Sequence, residues 1–104
     1  MWLLEERVLK AFWKLNPSAK APLVAWLKEA EGARWQNTAE IRARYRTADF
    51  VGDKVVFNIG GNKYRLVVRF RYADVSAKPP LNGIALVVFV GTHPEYDRID
   101  VTAL

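Results

Sequence analysis

Residues 55–72 read VVFNIGGNKYRLVVRFRY and residues 83–100 read GIALVVFVGTHPEYDRID. Gly60-Gly61 separates two apolar runs, Asn82-Gly83 precedes a third, and the sole histidine, His93, stands just past the last one. Apolar runs of strand length punctuated by glycine and asparagine are the pattern of an antiparallel sheet. The spacing predicts strands over 55–59, 63–72 and 84–90, with Gly60-Gly61-Asn62 as a tight hairpin whose glycines accept positive φ. The glycine pair lacks the G-x-x-x-x-G-K-[ST] setting of a phosphate-cradling loop, so it reads as a turn. The last run is apolar at both phases, which predicts a central strand covered on at least part of both faces.

On a strand, side chains alternate faces. Tyr64, Leu66, Val68, Phe70 and Tyr72 therefore share an apolar face, and Lys63, Arg65, Val67, Arg69 and Arg71 share a cationic one. The plain account of the second face is solvation. Four cations at alternating positions nevertheless repel one another, and an anion such as a phosphate backbone relieves that repulsion.

Toward the amino end, Met1-Trp2-Leu3-Leu4 suits either an edge strand or a first helical turn. Val8, Leu9, Phe12, Trp13 and Leu15 keep helical spacing until Asn16-Pro17 stops the run. Leu23, Trp26, Leu27 and Ala30 mark a second helix from residue 17 or 18 to about residue 31, with Gly32 as its stop. The two helices make a hairpin with one apolar side, and Trp13, Trp26 and Trp35 read as core rather than as a base-stacking set. Asn37-Thr38 caps a short third helix over 39–45. Arg42, Arg44 and Arg46 lie along and just past it; residues two apart do not share a helical face, so they form a diffuse basic surface. Residues 47–50 begin the sheet, Val51-Gly52-Asp53 turns, and residues 73–82, with Pro79-Pro80, form a longer connection.

Thr92 with Glu95 three positions on is a capping box, and Pro94 fits a first helical turn. His93 then sits at a helix N-terminus with Tyr96 and Asp97 on its own side. The dipole and nearby arginines disfavour the imidazolium, leaving a neutral imidazole available as a general base. A lone surface histidine in a well-capped turn is the plainer alternative.

Length and composition narrow the classes. A chain of 104 residues, 51% of them hydrophobic, is one domain over 1–104 and not a disordered segment. No cysteine is present, which excludes disulfides and thiolate chemistry. One histidine without an acidic cluster predicts no metal site, and no cofactor is called for. Charges interrupt the first helix, so neither a signal peptide nor a membrane span is expected and the chain reads as cytoplasmic. A net charge of +5 favours an acidic partner without choosing among nucleic acids, ribosome and protein.

NKYRLVV followed by FVGTHPEYDRID resembles the HigB toxin family within the RelE-like superfamily of bacterial mRNA interferases. AFWKLNP, WQNTAEI, RARYR and VVFNIGGN extend the similarity over nearly the whole chain. The resemblance implies an α+β, RelE-like fold: an N-terminal helical hairpin packed on a twisted antiparallel sheet, with a short C-terminal helix. It implies a type II toxin, an endoribonuclease that cuts mRNA on the translating ribosome, and a HigA-like helix-turn-helix antitoxin as partner. Asn62, Arg65, His93, Tyr96 and Asp97 fall on the family motif, and Lys63 and Arg69 on its basic face. The catalytic expectation is that Arg65 and Arg69 hold phosphate, His93 is base or acid, and Tyr96 stacks or assists proton transfer. Asp97 orients His93, while Lys63, Asn62, Arg71, Arg42, Arg44 and Arg46 contact RNA. The 73–82 loop is longer than the family's turn. A non-catalytic basic module that binds RNA or an acidic protein is the alternative.

Overall fold

In the computed structural model, which describes residues 1–104, local sequence signals set most of the elements. Strand β1 spans Trp2–Leu4, followed by helix α1 (Arg7–Leu15), a 3-10 turn at Pro17–Ala19 and helix α2 (Lys20–Gly32). Helix α3 (Thr38–Arg44) starts at Asn37, whose side chain accepts a bond from the Glu40 N–H at 3.0 Å. Strands β2 (Asp49–Val51), β3 (Lys54–Ile59), β4 (Tyr64–Arg71) and β5 (Ile84–Thr92) follow. Helix α4 (His93–Tyr96) and a final 3-10 turn at Val101–Ala103 complete the chain.

The strands form one sheet in the order β1-β5-β4-β3-β2. Pairing is antiparallel except between β1 and β5, which run parallel with Trp2 opposite Ile84 and Leu4 opposite Leu86. The expectation of a purely antiparallel sheet is thus corrected to a mixed one. Parallel neighbours need a long crossover, and here nearly the whole chain separates the two strands. β5 is an interior strand, as its two-phase apolar pattern required.

Helices α1, α2 and α3 all contribute to the core on one face of the sheet. Leu9, Leu23, Trp26, Leu27 and Ile41 meet Val55, Phe57, Ile59, Tyr64, Leu66, Val68, Phe70, Ala85 and Val87 there. The expected two-helix hairpin is therefore only part of a three-helix layer. Trp26 and Trp35 are buried and Trp13 packs against the same cluster, so these tryptophans are core.

The opposite face departs from a solvated cationic surface. Val56, Val67 and Val101 form a second, smaller cluster, with Phe89, Tyr96, Ile99 and Leu104 packed against it. The last dozen residues fold back over the middle of the sheet, because Ile99, Val101 and Leu104 gain more from covering Val67 than from water. A bulge in β5 makes this possible: Val67 faces Phe89 while Val68 faces Val87, leaving Val88 as the extra residue. The bulge reverses which face each later residue takes, so Phe89 joins the second cluster and Gly91 lies opposite Arg65.

Candidate active site at the hairpin end of the sheet

The β3–β4 turn uses positive φ at Gly60 and Gly61, as expected, and brings Asn62 and Lys63 to the start of β4. Arg65, the second residue of β4, is only 8% exposed. Its guanidinium folds back on the turn, donating at 2.8 Å to Asn62 Oδ1 and at 3.3 Å to the carbonyls of Asn62 and Tyr64. None of the six ion pairs in the molecule involves it. A nearly buried cation ordinarily has an anionic partner; this one has neutral acceptors only.

His93 enters the same corner from β5. Tyr64 pairs with Thr92, Arg65 with Gly91, and the His93 N–H donates to the Lys63 carbonyl at 3.0 Å. The capping box is present in full: the Thr92 N–H donates to Glu95 Oε1 at 2.7 Å and the Glu95 N–H to Thr92 Oγ1 at 3.3 Å. The Thr92 N–H above all, and then the Thr92 hydroxyl, hold the Glu95 carboxyl below its ordinary range. Gly91 lets α4 fold back, since a Cβ there would lie 2.6 Å from the Phe89 ring and 3.2 Å from Glu95 Cβ. His93 Nδ1 lies 3.2 Å from Asp97 Oδ2, one helical turn on.

Tyr96 rests against Phe89, ring centroids 6.4 Å apart. Burial pushes its phenol pKa up, the nearby Asp49 carboxylate adds to this, and Arg65 opposes it. At neutral pH Tyr96 is therefore a neutral hydroxyl able to donate a proton in a hydrogen bond. Asp49, on β2, escaped the reading of the sequence because nothing local links it to residue 96. The β2–β3 hairpin, with Asp49 opposite Val56, is local, but the fold-back of the last residues that packs Tyr96 over Val56 and Val67 is long-range.

Asn62, Lys63, Arg65, His93, Tyr96 and Asp97 thus gather at one end of the sheet. Arg69 does not join them. Four residue steps along β4 take it about 13 Å from Arg65, and it is occupied otherwise. Its terminal nitrogen donates to the Leu104 carbonyl at 2.6 Å, and its Nε stands 3.2 Å from Asp53 Oδ2 out of hydrogen-bond alignment. Arg71 is exposed at the far end of β4. Arg42 and Arg44 belong to the helical side. Arg42 lies over the Phe50 ring, 4.7 Å from its centroid, and Arg44 donates to Glu29 of α2 at 2.7 Å. Arg46 is exposed just past α3.

Chemically, the corner offers a donor-rich cation, a histidine with a carboxylate behind it, a neutral phenol and an exposed lysine. Such a set can hold an oxyanion and move protons beside it. The fold and this set define a class when joined to a comparison with protein families: residues 19–99 match the RelE-like toxic component of a toxin-antitoxin system. The match spans most of the chain, and the chain belongs to that family, HigB_toxin. Membership makes it the toxin of a toxin-antitoxin pair and implies an antitoxin partner. No curated protein matches the chain. No helix is long and apolar enough to cross a membrane.

Proposed function

We propose that the chain is a cytoplasmic endoribonuclease that cuts mRNA on the translating ribosome, and that a HigA-like helix-turn-helix antitoxin neutralises it. The observation that carries this reading is Arg65: an almost buried guanidinium, fixed by the hairpin turn and lacking any carboxylate partner. A phosphate is the anion that such a fork of donors fits. The reaction is attack of the ribose 2′-oxygen on the adjacent phosphorus, with the P–O5′ bond breaking. The products are a 2′,3′-cyclic phosphate and a 5′-hydroxyl. The proton leaving the 2′-hydroxyl goes to a base, and the 5′-oxygen takes one from an acid.

In this scheme Arg65 stabilises the charge gathering on the phosphate, and Lys63 and Asn62 position the backbone. His93, oriented by Asp97 through Nδ1, presents Nε2 to the reacting oxygen as base or acid. Tyr96, held neutral, donates to the phosphate or stacks on a base. Arg69 acts outside the reacting corner, because it pairs with Asp53 and donates to Leu104 there and it lies about 13 Å away along the strand. Product chemistry tests the reading. The new 5′ ends accept phosphate from polynucleotide kinase without prior phosphatase treatment; 5′-phosphate ends contradict the proposed displacement, and absence of new ends contradicts the enzyme.

A further inference from the structure

At the opposite end of the sheet, beyond the reach of Arg65 and His93, a second feature remains unexplained. A cleft of about 460 Å³ lies between β1, the end of β4 and the turn into β5, lined by Trp2, Arg71, Tyr72, Leu81, Asn82 and Ile84. Trp2 is 68% exposed. Register places Arg71 opposite Ile84, and Ile84 opposite Trp2, so an arginine and an indole flank an aliphatic floor on one row of the sheet. Arg71 enters none of the molecule's ion pairs.

Backbone contacts hold the walls. Asp74 and Leu81 exchange two N–H to carbonyl bonds of 2.9 Å, and the Trp2 N–H donates to the Gly83 carbonyl at 2.9 Å. Gly83 itself has φ +83°, and a Cβ there would lie 2.7 Å from the Ala73 nitrogen and 2.9 Å from the Arg71 carbonyl oxygen. The close approach of three backbone segments thus fixes the rim that carries Asn82 and Leu81.

We propose that this cleft binds an unpaired nucleotide of RNA, its base stacked on Trp2 and its phosphate held by Arg71. An exposed indole beside a cation is the combination that single-stranded nucleic acid uses, ring for base and guanidinium for phosphate. The Asn82 amide supplies both a donor and an acceptor for a base edge. The only charged side chain lining the cleft is cationic, in a chain of net charge +5, which favours a polyanion over a neutral apolar segment. The inference rests on the reading of the chain as an RNA-cleaving toxin, and it adds a contact roughly 20 Å from Arg65 along β4.

The test titrates the full chain with a fluorescein-labelled 2′-O-methyl oligoadenylate of roughly eight nucleotides. Its blocked 2′-oxygen cannot attack, so binding is read without cleavage. Trp2→Ala weakens binding about tenfold while Trp2→Phe keeps most of the affinity. Arg71→Ala lowers the slope of log affinity against log salt by about 0.7. Circular dichroism establishes that each variant is folded. Arg65→Ala, titrated beside them and assayed for cleavage on mRNA under translation, reports on the catalytic reading separately: it loses cleavage and keeps the Trp2-dependent part of binding. Equal affinity of wild type and Trp2→Ala overturns the nucleotide site and leaves the cleft to a protein partner. Failure of the wild type to bind the oligomer overturns it too, and cleavage of mRNA by that same protein would leave the catalytic reading standing.

Discussion

Replacing Arg65 by methionine removes the charge but keeps an unbranched stem in the same space, and its two effects are calculable apart. The guanidinium makes three hydrogen bonds, one at 2.8 Å and two at 3.3 Å. A bond to a charged group contributes about 1.5–3 kcal/mol, with the longer two at the low end, so the three together contribute about 5 kcal/mol. Against this stands the desolvation of an ion that is 8% exposed and enters no ion pair, itself a cost of several kcal/mol. The opposing effects nearly cancel, and Arg65→Met changes stability by no more than about 2 kcal/mol. Each kcal/mol moves Tm by roughly 4–8 °C in a chain of this size.

Function responds on another scale. Loss of a preorganised donor to a developing oxyanion lowers the rate by about 10²–10³. Inorganic phosphate probes the same contact without RNA. At ten times its Kd it stabilises the wild type by about 1.4 kcal/mol, and it leaves Arg65→Met unchanged. Thermal unfolding with and without phosphate, together with mRNA cleavage rates, measures both effects. An unfolded variant would show that Arg65 is structural and that the estimated balance is wrong. A folded variant that keeps the wild-type rate and the phosphate-induced rise in Tm would refute the anion-binding role.

Three further outcomes are expected. His93→Ala lowers cleavage by about 10²–10⁴, the range for a positioned proton-transfer group, with thermal unfolding unchanged; full activity removes His93 from the mechanism. Gly83→Ala strains a backbone at φ +83° and meets the main chain of residues 71 and 73, which costs about 2–4 kcal/mol, measured by urea unfolding. Glu95 is held below its ordinary 4.5 by the Thr92 N–H, so the unfolded chain binds its proton first and stability falls as pH drops below 4.5. Glu95→Gln flattens that acid limb in a pH series of unfolding curves, and an unaltered limb contradicts the capping contact as its source.

Local chemistry was legible in the sequence, and long-range pairing was not. The Gly60-Gly61 hairpin, the Asn37 cap and the Thr92–Glu95 capping box depend on residues within a few positions of each other, and each forms as read. The parallel pairing of β1 depends on strands separated by almost the full chain. The bulge at Val88 left no trace because β5 is apolar in both phases, so either register looked satisfactory. Strand alternation rightly put Arg65, Arg69 and Arg71 on one face but carried no information about what covers it. Ile99, Val101 and Leu104 do so, and their short apolar spacing at the end of the chain was the available signal. That cover divides the expected cationic face, leaving Arg65 with His93 at one end and Arg71 with Trp2 at the other.

The central claim is that Arg65 anchors the cut phosphate of mRNA on the ribosome. Mapping mRNA 5′ ends by primer extension in a reconstituted translation reaction, with wild type and Arg65→Ala, with and without ribosomes, tests it most directly. The account predicts new 5′ ends that require both ribosomes and Arg65. Equal cleavage by the folded Arg65→Ala protein, or no cleavage by a wild type that binds ribosomes, would contradict it.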